Sequence, residues 1–232
     1  MKILALDTAT ENCSAALLVD GRMAAREQRV PRGHAELILT MVDEVLAESR
    51  AALAGLDAIA FGRGPGSFTG VRLGASVAQG LAFGAGVPVV PVSDLMAVAQ
   101  RVLCEDARIS RVLVCNDARM REVYWGCFAR SASGLAEPVA PERVSAPVAV
   151  RLPAPWMEAP KPVGAGSAFA AYPELRTGLA SALAATRDAL PRAAEIAVLA
   201  VPEVAAGRVV DPEQALPVYL RDDVVQSSPH GH

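Results

Sequence analysis

The hydrophobic pattern of residues 3–30 predicts three consecutive β-strands. Residues 3–7 form a continuous apolar run that ends in Asp7, and residues 13–19 form a second apolar run. A strong Asp-Gly hairpin signal follows at 20–21, and residues 23–30 can form the third strand. Because the first run lacks polar alternation, we expect the first strand to be buried on both faces of its sheet.

The following stretch alternates between helical and extended patterns. Over residues 34–49, apolar residues recur at helical spacing in a stripe that is wide for a surface helix. Further helices are predicted over 71–83 and 94–103, and strands over 57–62 and 87–92. The wide stripe either covers the sheet or continues onto an exposed patch with the helix at 71–83, which would mark a subunit interface.

The opening pattern recurs in the second half of the chain. Residues 112–117 form an apolar run that ends in Asp117, a short turn follows, and residues 122–128 can form a second strand. The order strand, acid, turn and strand therefore occurs at both Asp7 and Asp117, which indicates an internal duplication and a two-lobed α/β protein. The predicted parts are a first lobe at 1–105, a second lobe at 106–225 and a polar, mobile tail at 226–232.

The rest of the second half has a less regular pattern. The proline-rich residues 132–163 predict irregular extended structure with a short strand. Gly-Ala-Gly at 164–166 predicts a turn into a helix, and alanine-rich helices are predicted over 178–189 and 192–206. An extended segment is predicted at 216–221.

Composition restricts the class of protein. Apolar residues make up 52% and charged residues 20% of the 232 residues, which is ordinary for a globular protein and argues against general disorder. A net charge of −3 and 4% aromatic residues disfavour an independent nucleic-acid-binding module, which needs basic and aromatic surface. The sequence contains neither a usable signal-peptide core nor an apolar run long enough to span a membrane. We therefore expect a soluble, cytoplasmic protein.

Neither the cysteines nor the histidines form a recognisable metal site. The four cysteines contain no CxxC pair and lie among apolar or small residues, so we interpret them as structural. Of the three histidines, His230 and His232 lie in the polar tail, and Ile38 stands four residues after His34, where a paired metal ligand would be needed. The lone His34 and the absence of GxSxG also exclude a Ser-His-Asp triad. We expect His34 to cap or pack the start of its helix.

A glycine-rich segment at 62–70 joins a predicted strand to a predicted helix. Loop amides and the positive end of the helix are a suitable geometry for an anion. The segment matches neither GxxxxGK[ST] nor GxGxxG and has no lysine, which excludes a P-loop. The alternative interpretation is a tight turn that lets the helix pack closely on the sheet.

Two acids at strand ends suggest a further chemical hypothesis. If Asp7 and Asp117 faced each other across a cleft, they would suit a hydrated magnesium ion and a phosphate in a phosphotransfer site. The alternative is that each carboxylate caps its own turn, which is the commoner role of an isolated acid after a strand.

Several motifs occur in a fixed order along almost the whole chain. They are Ile-Leu-Ala-Leu-Asp-Thr-Ala-Thr at 3–10, His34 at a helix start, Gly-Pro-Gly-Ser-Phe-Thr-Gly-Val-Arg-Leu-Gly at 64–74, Asp-Ala-Arg at 117–119 before Glu-Val-Tyr at 122–124, and Pro-Val-Tyr-Leu-Arg at 217–221. This set resembles the bacterial TsaB family, also called YeaZ. The motif at 64–74 is the most specific part, and the proline-rich middle is the least matched. The resemblance implies the actin/Hsp70/sugar-kinase-like (ASKHA) fold, an α/β fold of tandem RNase-H-like lobes with mixed sheets flanked by helices.

The resemblance also implies a function. Family members pair with a paralogous catalytic subunit, TsaD, and with the ATPase TsaE, and together they move threonylcarbamoyl onto an adenosine of tRNA. The catalytic paralogue carries an HxxxH metal pair on the helix that begins here at His34, and Ile38 occupies the second position. We therefore expect a non-catalytic, activating subunit without a cofactor or metal of its own. ATP or ADP and Mg²⁺ belong to the assembled complex, and tRNA is contacted only through that complex.

The candidate site residues form two groups. Family members also form homodimers through the helical face that meets the catalytic paralogue, which places the interface on the helices at 34–49 and 71–83. The expected interface residues are His34, Leu37, Met41, Val45, Arg72, Ala75 and Gln79. The candidate nucleotide- or anion-binding residues are Asp7, Thr8, Gly64, Gly66, Ser67 and Asp117. The alternative hypothesis is an enzyme of the same superfamily, either an ATP-dependent phosphotransferase or a glycoprotease-type peptidase.

Overall fold

A computed structural model describes residues 1–221 and shows two β-sheets. The strands of the first sheet are β1 (Lys2–Asp7), β2 (Asn12–Val19), β3 (Arg22–Arg29), β4 (Ala58–Gly62) and β5 (Val89–Val92). Their order in the sheet is β3-β2-β1-β4-β5. β1, β2 and β3 are antiparallel neighbours, whereas β4 runs parallel to β1, and β5 parallel to β4. The central β1 is buried over almost its whole length, as its continuous apolar run predicts.

The second sheet repeats this topology. Its strands are β6 (Arg111–Asp117), β7 (Val123–Arg130), β8 (Ala136–Pro138), β9 (Arg143–Ser145), β10 (Val163–Ala165) and β11 (Ala185–Arg187). The order is β11-β10-β6-β7-β8, and β9 also pairs with β7. β6 and β7 form an antiparallel hairpin, as β1 and β2 do, and the next strands are again parallel. The duplication is confirmed, and the protein has the ASKHA fold of two RNase-H-like halves.

Helices cover both sheets. They are α1 (His34–Glu48), α2 (Phe68–Ala85), α3 (Asp94–Glu105), α4 (Ala168–Ala171), α5 (Pro173–Leu179) and α6 (Ala193–Ala205). α1 and α2 pack on one face of the first sheet and α6 on the other. α3 packs on one face of the second sheet, and α4 and α5 pack on the opposite face. None of these helices is both long and apolar enough to cross a lipid bilayer.

Two helices pack across the predicted division at residue 105. α6 follows the second sheet in sequence but packs its buried side on the first sheet. α3 belongs to the first half of the chain but packs on the second sheet. The division therefore separates the two sheets but does not separate their helices. The tail predicted at 226–232 lies outside the described residues.

The helix predicted over 178–189 is wrong. α5 ends at Leu179, and Ala185–Arg187 forms β11, which pairs in parallel with β10. Alanine favours a helix by less than about 1 kcal/mol per residue over most other residues, so pairing with an existing strand outweighs that preference. The helix predicted over 192–206 is confirmed as α6.

The wide apolar stripe of α1 faces the first sheet. Met41 and Val45 are buried in the core there, and Ala75 of α2 is buried in the same cluster. The interface assignment of these three residues is wrong, because a side chain enclosed in its own core presents no surface to a partner. The stripe is wide because α1 lies over β2 and β3 and also reaches β1.

Adjacent residues on α1 provide a matched test of this orientation. Ile38→Ala should lower the free energy of unfolding by about 2–5 kcal/mol, because it leaves a cavity at a fully buried position. Leu39→Ala, at a position that is 49% exposed, should change it by about 0.5 kcal/mol or less. Urea unfolding of both variants measures the two values, and equal losses would contradict the orientation.

Candidate functional site

A cleft of about 1560 Å³ lies between the two halves of the protein. One wall comes from the loop at 62–70 and the start of α1, and the other comes from the turn between β6 and β7 and the start of α4. The segment at 218–221 lines its edge. The cleft therefore brings the two strand-end motifs of the duplication to one place.

The glycine-rich loop at 62–70 is a close-packed turn. A Cβ atom on Gly66 would lie 2.6 Å from the carbonyl oxygen of Ala9, and one on Gly70 would lie less than 3.0 Å from the Thr8 carbonyl oxygen. The Thr8 hydroxyl donates to the Gly70 carbonyl at 2.7 Å, and the Ser67 amide donates to the Ala9 carbonyl at 2.7 Å. These contacts support the tight-turn interpretation, and anion binding by the loop stays a prediction.

The two strand-end acids do not face each other across the cleft. Asp7 is fully buried behind the glycine-rich loop, where its Oδ1 accepts a hydrogen bond of 2.8 Å from the Ala9 amide. Asp117 lies on the cleft wall and accepts hydrogen bonds from Tyr172 at 2.7 Å and from Arg119 at 3.0 Å. The hypothesis of a phosphotransfer pair is wrong, because the loop and the start of α3 cover the end of β1.

Asp7 instead lies beside a second buried acid, Asp94. Both carboxyl groups occupy the space that a side chain on Gly62 would need. Burial raises the pKa of Asp7 to about 6. Burial also raises the pKa of Asp94 well above its ordinary value, and the negative charge of Asp7 adds to this. Nothing in the sequence indicated this role for Asp94, because Ser93 and Asp94 fit an ordinary helix start.

His34 begins α1 and is engaged by the protein itself. Its Nε2 atom lies 2.8 Å from the carbonyl oxygen of Thr10. This contact fits the packing role predicted for His34. Within residues 1–221, the histidine, cysteine, aspartate and glutamate side chains form no group of three that could hold a metal ion.

Residues 215–221, which we call the C-terminal strap, pack along α2. Gln79 donates to the carbonyl oxygen of Ala215 at 3.1 Å. Arg72 donates to the Tyr219 hydroxyl at 2.8 Å, and its guanidinium lies over the ring of Phe68 at 3.3 Å from the centroid. The strap therefore engages two of the predicted interface residues, Arg72 and Gln79.

The same strap crosses to the second half of the protein. The Val218 amide donates to the Arg63 carbonyl at 2.7 Å, next to the glycine-rich loop. Arg221 then donates to the Ala118 carbonyl at 3.3 Å and forms an ion pair with Glu122. The strap thus joins α2 to the turn between β6 and β7 along the edge of the cleft. Its motif was visible in the sequence, but its contacts were not.

A second connection between the halves involves Glu142, from the segment between β8 and β9. Its carboxylate accepts a hydrogen bond from the Ser93 hydroxyl and lies 3.4 Å from the guanidinium of Arg63. Glu142 lies in the proline-rich region, whose sequence pattern predicts irregular structure. No sequence signal pointed to this role, since the contact depends on how the two halves meet.

Apolar side chains are exposed along α1, α2 and the strap. Phe83 is 76% exposed near the end of α2, and Leu39 is 49% exposed on α1. Phe68, Leu216 and Tyr219 are also large apolar side chains with substantial exposure. We call this set of five the α1–α2 face. Of the predicted interface residues, Arg72 is exposed, and His34, Leu37 and Gln79 are half-buried.

Comparison with known proteins identifies the family. Residues 28–226 match the family model of TsaD, described as tRNA N6-adenosine threonylcarbamoyltransferase. The tRNA threonylcarbamoyladenosine biosynthesis protein TsaB of Escherichia coli K12 is 41% identical over 229 residues, which are 97% of this chain and 96% of that protein. The chain belongs to the TsaB (YeaZ) family.

Further comparisons agree with membership of the TsaB family. TsaB of Haemophilus influenzae is 52% identical over 130 residues, or 56% of this chain and 55% of that protein. A Pseudomonas aeruginosa structure, described as an uncharacterised protein with similarity to peptidase YeaZ, superposes with a TM-score of 0.85 at 43% identity. The superposition covers 95% of this chain and 99% of that one. YeaZ of the same organism gives a TM-score of 0.84 at 42% identity, covering 94% of this chain and 99% of that one.

Two glycines of α2 test the packing of the loop. Gly70→Ala should lower the free energy of unfolding by about 1–3 kcal/mol, because the added methyl group overlaps the Thr8 carbonyl. Gly80→Ala in the same helix meets open space and should raise it by about 1 kcal/mol, through the higher helix propensity of alanine. Chemical unfolding measures both, and a stabilising Gly70→Ala would show that the close approach is absent in solution.

Proposed function

We propose that the chain is a non-catalytic, activating subunit in the biosynthesis of threonylcarbamoyladenosine in tRNA. Its E. coli relative, which aligns over nearly the full length of both chains, is named for this pathway. The chain also matches the family model of the threonylcarbamoyltransferase TsaD. Because the two chains share a fold, this chain and a TsaD-type catalytic subunit can pair as the two halves of a pseudo-symmetric dimer.

The exposed α1–α2 face is the observation that carries the partner role. Contiguous exposed apolar patches on monomeric proteins often mark binding sites, and Phe68 and Tyr219 form such an exposed pair here. Phe68 and Tyr219 lie with their ring centroids 6.1 Å apart, and Phe83 lies about 22 Å farther along α2 by helix geometry. Aromatic and arginine side chains are enriched at protein interfaces, and Arg72 lies between these two rings.

The side chains around the cleft favour a helper over an enzyme. Asp117 is paired with Arg119, and the imidazole of His34 lies against a backbone carbonyl. Ile38, at the position where the catalytic paralogue carries its second histidine, is fully buried in the core. These groups supply neither a free general base nor a paired metal ligand.

The proposal extends to the assembly. A TsaD-type subunit docks on the α1–α2 face, and a second copy of this chain docks there as a homodimer in its absence. A TsaE-type ATPase joins the complex, in which ATP or ADP and Mg²⁺ are bound. The net charge of −3 supports contact with tRNA only through that complex, which works in the cytoplasm.

An enzymatic function is the second candidate. It is favoured by the size of the cleft, about 1560 Å³, and by the peptidase similarity noted for the P. aeruginosa protein. An ATP-dependent phosphotransferase would bind ATP and Mg²⁺ tightly as an isolated chain. Calorimetry on the purified protein separates the two candidates, because the helper subunit should give no tight nucleotide binding by itself.

Charged substitutions on the α1–α2 face test the partner role. Phe83→Glu and Leu39→Glu should each weaken association with a TsaD-type subunit at least tenfold, because an unpaired carboxylate would be buried at the interface. Val148→Glu is a matched control, since Val148 is 66% exposed in the second half of the protein. Sedimentation or calorimetric titration measures the affinity. The docking site is wrong if all three variants bind equally well.

A further inference from the structure

A pair of acids lies at the junction of four segments, outside the proposed interface. Asp7 ends β1, and Asp94 begins α3. Both side chains are 0% exposed. A Cβ atom on Gly62 would lie 2.8 Å from Asp7 Oδ1 and closer still to Asp94 Oδ1. The two carboxyl groups therefore converge on the end of β4, where only a glycine leaves room for them.

Each carboxyl group has one satisfied oxygen and one that lacks a partner. Asp7 Oδ1 accepts from the Ala9 amide at 2.8 Å, and Asp94 Oδ2 accepts from the Gly64 amide at 2.5 Å. Within residues 1–221, Asp7 Oδ2 and Asp94 Oδ1 have no hydrogen-bond partner. Buried polar atoms nearly always have a hydrogen-bond partner. Two neighbouring carboxyl groups that each have an oxygen without a partner therefore require an explanation that covers both.

We propose that Asp7 and Asp94 hold a single proton between them, so that the carboxyl group of one donates a hydrogen bond to the carboxylate of the other. This bond fastens the start of α3 and the glycine-rich loop to the end of β1. Loss of the proton to solvent leaves two buried negative charges side by side, which pushes the loop and α3 away from β1.

A proton fits this site better than a metal ion. Magnesium requires near-octahedral coordination and calcium takes six to eight oxygen ligands, whereas the pair offers two carboxyl groups. The amides of Ala9 and Gly64 point their N–H groups at these carboxyl groups, which would repel a cation. A hydrogen bond between the two acids uses only groups already present in the site and needs no further ligand.

The ionisable groups around the pair come from several elements. His34 at the start of α1 favours ionisation of Asp7. Burial raises the pKa of Cys13 on β2, and the charge of Asp7 adds to this. Glu142, from the second half of the protein, disfavours ionisation of Asp94. Arg63 lies 3.4 Å from Glu142 and offsets part of its charge. The charged groups around the two acids therefore have opposite effects: they favour an ionised Asp7 and a protonated Asp94.

The sign of the pH dependence follows from the direction of both shifts. The pKa of each acid is higher in the folded protein than the value of about 3.9 in an unfolded chain. The folded state then binds more protons than the unfolded state, so stability falls as the pH rises through this range. Above the pKa of about 6 for Asp7, the proposed shared proton is the one excess proton of the folded state. That proton makes the folding equilibrium constant fall about tenfold per pH unit.

Replacement of Asp94 by asparagine tests the shared proton. In Asp94→Asn, the amide nitrogen can donate to Asp7 and the amide oxygen can accept from Gly64 without a titratable proton. Urea unfolding from pH 6.5 upward should therefore show about a tenfold loss of the wild-type folding constant per pH unit relative to Asp94→Asn. Glu137→Gln, an exposed change on β8, should keep the wild-type slope. Equal slopes for wild type and Asp94→Asn would overturn the proposal.

If Asp94→Asn does not fold, an infrared measurement on the wild-type protein tests the shared proton directly. At pH 7 the spectrum should contain the band of a protonated carboxylic acid, which shifts on ¹³C labelling of aspartate. Absence of an aspartic acid band at this pH would refute the shared proton. A stoichiometric divalent ion in the purified protein, lost in Asp94→Asn, would refute it equally. Neither outcome bears on partner binding, so the proposed function would stand.

Discussion

The structure depends on a close approach of backbone segments that leaves no room for side chains. The end of β1, the end of β4, the start of α2 and the start of α3 meet at the glycine-rich loop. Gly62, Gly66 and Gly70 lie where a Cβ atom would overlap a carboxyl group or a carbonyl oxygen. Interiors packed this closely transmit a displacement at one position to its neighbours. The geometry of this junction therefore fixes both α2 and the wall of the cleft.

The cleft and the α1–α2 face share the same supports. The loop holds the start of α2, and the C-terminal strap connects α2 through Arg63 and Arg221 to the turn between β6 and β7. Glu142 adds a second connection through Ser93 and Arg63. A partner that engages Arg72 or Tyr219 would thus touch the same segment that lines the edge of the cleft. Surface binding and cleft geometry are mechanically linked in this arrangement, because Phe68 and Tyr219 belong to the α1–α2 face and also line the cleft.

The sequence predicted what depends on local pattern and missed what depends on distant contacts. Hydrophobic runs predicted the buried β1 and the duplication after Asp7 and Asp117, and the spacing of glycines predicted the tight loop. The sequence pattern left open whether the stripe of α1 faced the sheet or a partner, since both are apolar surroundings. Val45 was therefore assigned to the interface, although it lies in the core. Ala185–Arg187 became a strand because β10 was available to pair with it. Asp94 acquired its significance only when folding placed it beside Asp7.

The crossing of α3 and α6 between the halves has a consequence for synthesis of the chain. One face of the first sheet, with Ile3 and Ala5 at its centre, is covered by α6, which ends at Ala205. A nascent chain therefore exposes that apolar face until α6 has left the ribosome. The cores on both faces of the second sheet contain only residues that precede α6, so the second sheet can be covered before the first. An apolar face that stays uncovered during synthesis is the kind of surface that chaperones protect from aggregation.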